Sequence, residues 1–77
     1  MSKIAHYRKA MGFTQKDMAR KFNISRQAYY RKEKGYVPFN DEEKVELVKI
    51  FRREFPDLTV ESLFFYSEYK EIQRNEV

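Results

Sequence analysis

Two hydroxyl side chains suited to opening a helix, Thr14 and Ser25, stand close together in this 77-residue chain, with Asn23 just ahead of the second. Thr14 can accept a hydrogen bond from an unpaired first-turn N–H, and Asp17 places a carboxylate where a helix N-terminus favours one. The spacing predicts a short helix over residues 15–22, with Met18, Ala19 and Phe22 pointing inward and Lys16 and Arg20 outward. Asn23 tolerates the left-handed backbone of a sharp turn. Ile24 is then a buried plug, and Ser25 caps a further helix over 26–34 that Gly35 ends. Two short helices joined by so tight a turn must cross at a large angle.

The remaining punctuation is sparse. Besides Gly35 there are only Gly12, Pro38 and Pro56 to interrupt the chain, and no stretch alternates as a strand would. The expected fold class is therefore all-α. A first helix is predicted over about 2–11, with Ile4, Tyr7 and Met11 on one face and Gly12 as its stop. Asn40 and Glu43 have the spacing of a capping box for a fourth helix over about 41–54. Its expected inward stripe is Val45, Val48 and Phe51, with Pro56 just past its end. A fifth helix should start near Thr59 or Val60 and contribute Leu63 and Phe64 to the core. One compact domain is expected over residues 1–66, followed by a helical extension or tail over 67–77.

A chain this short buries only roughly 60% of the surface it exposes when unfolded, so it has one small core and little room for an enzyme pocket. Cysteine is absent, which excludes disulfides and thiolate chemistry and makes an intracellular, cytoplasmic protein the simple expectation. No apolar run is long enough to span a membrane and no leader pattern opens the chain. Charge is the informative bulk property. Residues 1–38 hold ten Lys and Arg against Asp17 and Glu33, whereas residues 39–77 hold six against ten Asp and Glu. A basic half on a small domain attracts polyanions, of which nucleic acid is the commonest.

The predicted third helix concentrates the chemistry. At about 100° per residue, Arg26, Gln27, Tyr30 and Arg31 fall within an arc of roughly 140°, with Tyr29 and Glu33 outside it. An Arg guanidinium pairs in a fork with O6 and N7 of guanine, and a Gln carboxamide with N6 and N7 of adenine. Such side chains on a helix that fits the major groove are what direct base readout requires.

The segment MGFTQKDMARKFNISRQAYYRKEKGYVP resembles the helix-turn-helix of the lambda-repressor/Cro-like (XRE-type) family, and the likeness extends over residues 4 to about 64. It rests on TQKDMA opening the second helix, SRQ opening the third, Glu33 and Gly35 closing it, and Pro38 after it. The resemblance implies a five-helix DNA-binding domain. It implies base contacts from Arg26, Gln27 and Arg31 and contacts to the DNA backbone from Gln15, Lys34 and Tyr36; Tyr30, in the same arc, is a further expected base contact, and Thr14 and Lys16, beside Gln15, are further expected backbone contacts. Gln15 would also brace the recognition helix, and Arg8 and Glu33 match an ion pair tying the first helix to the third. The chain departs from the family pattern at Lys32, where an apolar residue is usual, at Tyr29, where Ile or Val is usual, at Asn23, where Gly is common, and in a longer fourth helix. The Lys32 stem is expected to pack while its ammonium escapes to solvent.

Other chemistry is thinly represented. His6 has no second histidine or cysteine to share a metal, and the acids at 41–43 suit a helix start, so no metal, cofactor or catalytic group is expected. Phe65, Tyr66 and Tyr69 are too many large rings to bury in so small a domain and mark an expected protein-contact surface. The expected function is a phage- or prophage-type, Cro-like transcriptional regulator, homodimeric on double-stranded DNA and associated with the nucleoid of a bacterial or phage-infected cell. The competing expectation is a protein-interaction module that binds another repressor, as a modulator of repression or antirepressor.

Overall fold

The computed structural model describes residues 3–65, the side chain of Phe65 excepted. Five helices follow one another: α1 (Lys3–Ala10), α2 (Gln15–Lys21), α3 (Arg26–Glu33), α4 (Asp41–Phe51) and α5 (Glu61–Phe65), the last wound as a π-helix. No strand occurs among the described residues.

The first three helices end in the same way. After α1, the N–H of Gly12 donates to Lys9 O and that of Phe13 to Arg8 O, each at 3.0 Å. After α2, Asn23 N–H donates to Arg20 O at 3.1 Å and Ile24 N–H to Ala19 O at 3.0 Å. After α3, Gly35 N–H donates to Lys32 O at 3.1 Å and Tyr36 N–H to Arg31 O at 2.9 Å. These are Schellman closures, in which one left-handed residue lets the chain turn back and satisfy the last carbonyls. That residue has φ of 78° at Gly12, 57° at Asn23 and 87° at Gly35. The starts are equally local. Thr14 and Asp17 form a reciprocal capping box, Ser25 Oγ accepts from Ala28 N–H, and Asn40 and Glu43 form a second box. Each such cap is worth about 1 kcal/mol.

The core consists of Ile4, Met18, Ala19, Tyr29, Phe39, Leu47, Val48, Phe51, Leu58 and Leu63. Aromatic rings form much of it. Tyr29 stacks at 6.3 Å on Phe22 and meets Phe39 edge-on at 6.2 Å, and Phe39 meets Phe64 edge-on at 6.0 Å. On the other side Tyr7 stacks at 5.6 Å on Phe51 and meets Phe55 at 4.9 Å. Ile24 is only partly buried but packs against the core as expected of the turn residue. Phe64 likewise lies partly buried against it.

Three expectations are corrected. Val45 does not face inward and is 46% exposed, whereas Leu47 is fully buried. Leu47, Val48 and Phe51 centre the apolar stripe of α4 between Leu47 and Val48, which leaves Val45 roughly 115° from its middle. The fourth helix ends at Phe51, not near residue 54, with Arg52 as its cap. Phe55 swings onto Tyr7, the residue before a proline avoids the helical region, and Arg52 Nε donates at 3.1 Å to Pro56 O, holding the turn. Finally, the Lys32 ammonium does not escape to solvent. It donates at 3.0 Å to Glu43 Oε1 on α4 and stands 5.9 Å from the Phe39 ring centroid. Tyr66, Tyr69 and the tail 67–77 lie outside the described residues.

Candidate nucleic-acid interface

The arrangement of the third helix starts from a buried ion pair behind it. Arg8, 7% exposed, donates through Nε at 2.8 Å to Glu33 Oε2 and through NH2 at 3.0 Å to Glu33 Oε1. Its remaining nitrogen donates at 2.9 Å to Phe13 O, at the end of α1. The guanidinium thus ties the close of α1 to the last turn of α3. Burial pushes the Glu33 carboxyl up, but the hydrogen bond from Arg8, the nearby Tyr29 hydroxyl, the hydrogen bond from Gln15 and the charge of Arg8 outweigh it and hold the group below the usual carboxylate range. The hydrogen bonds to Glu33 in turn raise the affinity of Arg8 for its proton.

Beside this pair lies Tyr29, wholly buried. Its hydroxyl faces the Arg8–Glu33 pair closely enough to act on both groups, but is the one buried side-chain polar atom that makes no hydrogen bond of good geometry among the described residues. Burial and the neighbouring Glu33 charge push its ionisation far above the ordinary tyrosine range, so it stays neutral.

From Glu33 a chain of polar contacts runs to the surface. Gln15, the first residue of α2, donates through Nε2 at 3.2 Å to Glu33 Oε1, and its Oε1 accepts a long bond of 3.4 Å from Arg26 NH1. An amide held at one end by a buried carboxylate has its carbonyl oxygen turned outward, where it meets the first residue of α3. An exposed guanidinium is thus linked, through one long bond, to an amide anchored inside the domain. The capping box reinforces the placement of Gln15. Thr14 N–H donates at 2.8 Å to Asp17 Oδ2, and that bond, with one from the Thr14 hydroxyl, holds the Asp17 carboxyl below its usual range.

Arg26, Gln27 and Arg31 are all exposed on α3, with Tyr30 half-buried in the same arc. Thr14, Lys16, Lys34 and Tyr36 are exposed and Gln15 half-buried. The five residues expected at the DNA backbone thus come from the start of α2 and the loop after α3. The rings of Tyr30 and Tyr36 stand edge-to-face at 6.5 Å, and Lys34 Nζ lies 5.8 Å from the Tyr30 centroid. Of the expected protein-contact residues, Tyr66 and Tyr69 and the Phe65 side chain are not described.

Sequence reasoning left Phe39 and Leu58 out of the core and did not pair Lys32 with Glu43. Phe39 and Leu58 sit in short loops, where no helical period marks a buried face. One available signal was Glu43 itself, a capping-box acid within reach of the neighbouring helix.

Among the described residues no cluster of His, Cys, Asp and Glu could hold a metal ion, and no helix is long and apolar enough to cross a membrane. Neither the curated proteins nor the solved structures compared with the chain provide a match. A family model described as helix-turn-helix does match, over residues 4–58, which takes in α1 but for its first residue, α2 to α4 and the whole of this interface. With the tight α2–α3 turn at Asn23 and the polar face of α3, this match places the chain in the XRE, lambda-repressor-like helix-turn-helix family of DNA-binding regulators.

Proposed function

We propose that the chain is a Cro-like transcriptional regulator of phage or prophage type that reads duplex DNA with α3 in the major groove. Arg26, Gln27, Tyr30 and Arg31 meet base edges, while Thr14, Gln15, Lys16, Lys34 and Tyr36 meet the sugar–phosphate backbone. The observation that carries this reading is the contact chain from Arg8 through Glu33 and Gln15 to Arg26. It ends at the Arg26 guanidinium on the exposed face of α3 and supports the reading, because a side chain already restrained loses less freedom on binding. The basic balance of residues 1–38 supplies the attraction to phosphate. The reading includes pairing of two copies on a two-fold site through Phe65, Tyr66 and Tyr69, supported by the sequence alone, and action at the nucleoid.

Selection of duplexes from a randomised pool, followed by mobility-shift titration, tests it. A recovered sequence bound at least about a thousandfold more tightly than random duplex at the same salt is the expected result. Binding that never exceeds the level on random duplex rejects it.

The competing reading, a module that binds another repressor, draws support from the outer face of α4, where exposed Val45 lies among Asp41, Glu42, Glu46 and Lys49. Under that reading Val45→Asp abolishes complex formation with the repressor and leaves DNA binding intact. The DNA reading expects no such partner to be needed for specific binding.

A further inference from the structure

Tyr36 is the most exposed large apolar side chain among the described residues, at 68%. Its backbone is nonetheless firmly placed, because the left-handed Gly35 turns the chain back and Tyr36 N–H bonds Arg31 O at 2.9 Å. The same turn sets its ring edge-to-face with that of Tyr30, 6.5 Å away at 61°. Lys34 then places its ammonium 5.8 Å from the Tyr30 centroid. A ring flanked by a second ring and by a cation has little freedom to swing. Tyr30 is also in the middle of the α3 arc, between Arg26 on one side and Gln27 and Arg31 on the other.

The chemistry of this pair differs from that of its neighbours. Arg and Gln offer donors and acceptors that match the polar edges of base pairs. A tyrosine carries one hydroxyl that can donate and accept, but most of its ring is carbon, and setting that carbon against a polar base edge leaves the edge unpaired. The major groove has one apolar group to set against carbon, the C5-methyl of thymine. Resting on the reading that α3 binds duplex DNA, we propose that the Tyr30–Tyr36 pair forms an apolar slot that selects thymine by its methyl group, with Tyr30 as the contact and Tyr36 as the wall that holds its ring.

The test uses the full chain and a duplex recovered by the wild type from a randomised pool. Each thymine is replaced in turn by deoxyuridine, which removes the methyl and keeps the hydrogen-bonding groups. At one thymine per bound copy the replacement should weaken wild-type binding about fourfold, the loss expected for one buried methyl-sized group. Tyr30→Ala should remove that sensitivity while other positions of the duplex stay discriminated. Tyr30→Phe, which keeps the ring, should retain it. Circular dichroism checks that both variants fold. Wild-type binding that is indifferent to every deoxyuridine overturns the slot, as does equal sensitivity in wild type and Tyr30→Ala. In either case specific duplex binding survives and the DNA reading stands. If no duplex is enriched at all, the DNA reading falls and the slot falls with it.

Discussion

Glu33 accepts both Nε and NH2 of Arg8 in a two-bond fork, at 2.8 and 3.0 Å, inside a domain where both residues are under one-tenth exposed. Removing one partner strands the other as a buried charge. Glu33→Gln should therefore lower unfolding stability by about 3 kcal/mol, a large share of what a chain of this size has. Urea denaturation measures it. A loss below about 1 kcal/mol, the range of solvated pairs, would count against a buried tie.

The same pair makes stability depend on acid. The folded-state Glu33 carboxyl is held below the usual range, so the unfolded chain takes up a proton at higher pH than the folded one. The stabilisation is complete above the ordinary Glu value of about 4.3 and is lost as pH falls from there through the lower folded value. Urea midpoints taken between neutral and strongly acidic pH should fall for the wild type in that window. Glu33→Gln should show a shallower decline, and equal declines in both proteins would assign the effect to other carboxylates.

Asn23 sits at φ 57° between the helices of the motif. Asn23→Gly should change stability by only a few tenths of a kcal/mol, whereas Asn23→Val should cost about 1–2 kcal/mol, since a β-branched residue resists the left-handed region. Thermal denaturation of both variants is the check. Equal stability of the two would mean the turn rearranges.

Lys32 and Glu43 join α3 to α4 at 3.0 Å, with side chains 17% and 16% exposed. A double-mutant cycle with Lys32→Met and Glu43→Gln should give a coupling of about 0.5–1 kcal/mol that shrinks as salt is added. Lys32→Leu alone is expected to be tolerated, because the stem already packs in the position and a Leu replaces its apolar part. A coupling of zero would show that the ammonium spends its time in water.

Gln27 is exposed on α3. Gln27→Ala should leave stability unchanged and weaken binding to the best duplex by about 1–3 kcal/mol, relaxing the preference at one base pair. Lys16→Ala should instead weaken all duplexes alike and reduce the salt slope by about one. Undiminished affinity in Gln27→Ala would remove it from the reading face.

The sequence by itself determined where the helices of the motif begin and end. Thr14, Ser25 and Asn40 cap neighbours three residues away, and Gly12, Asn23 and Gly35 close helices through bonds that span a single turn. Those interactions are local, so residue type and spacing are enough to specify them. The polar arc of α3 was legible for the same reason, since helical geometry alone decides which side chains share a face. Only the tertiary structure decided which side of α4 turned inward, putting Leu47 in the core and Val45 in water. Val45, Leu47 and Val48 are all apolar, and the choice among them depends on the surfaces that α1 and α3 present. Phe39 and Leu58 entered the core from loops because they fill space left by other elements, which no periodic pattern records. The partners of Lys32 and of Gln15 were settled by approach between segments distant along the chain, Glu43 on α4 in one case and Glu33 on α3 in the other. Packing brings such groups together after the local structure has formed, and the physical reason they pair there is that a charge or amide removed from water must find its hydrogen bonds inside the protein.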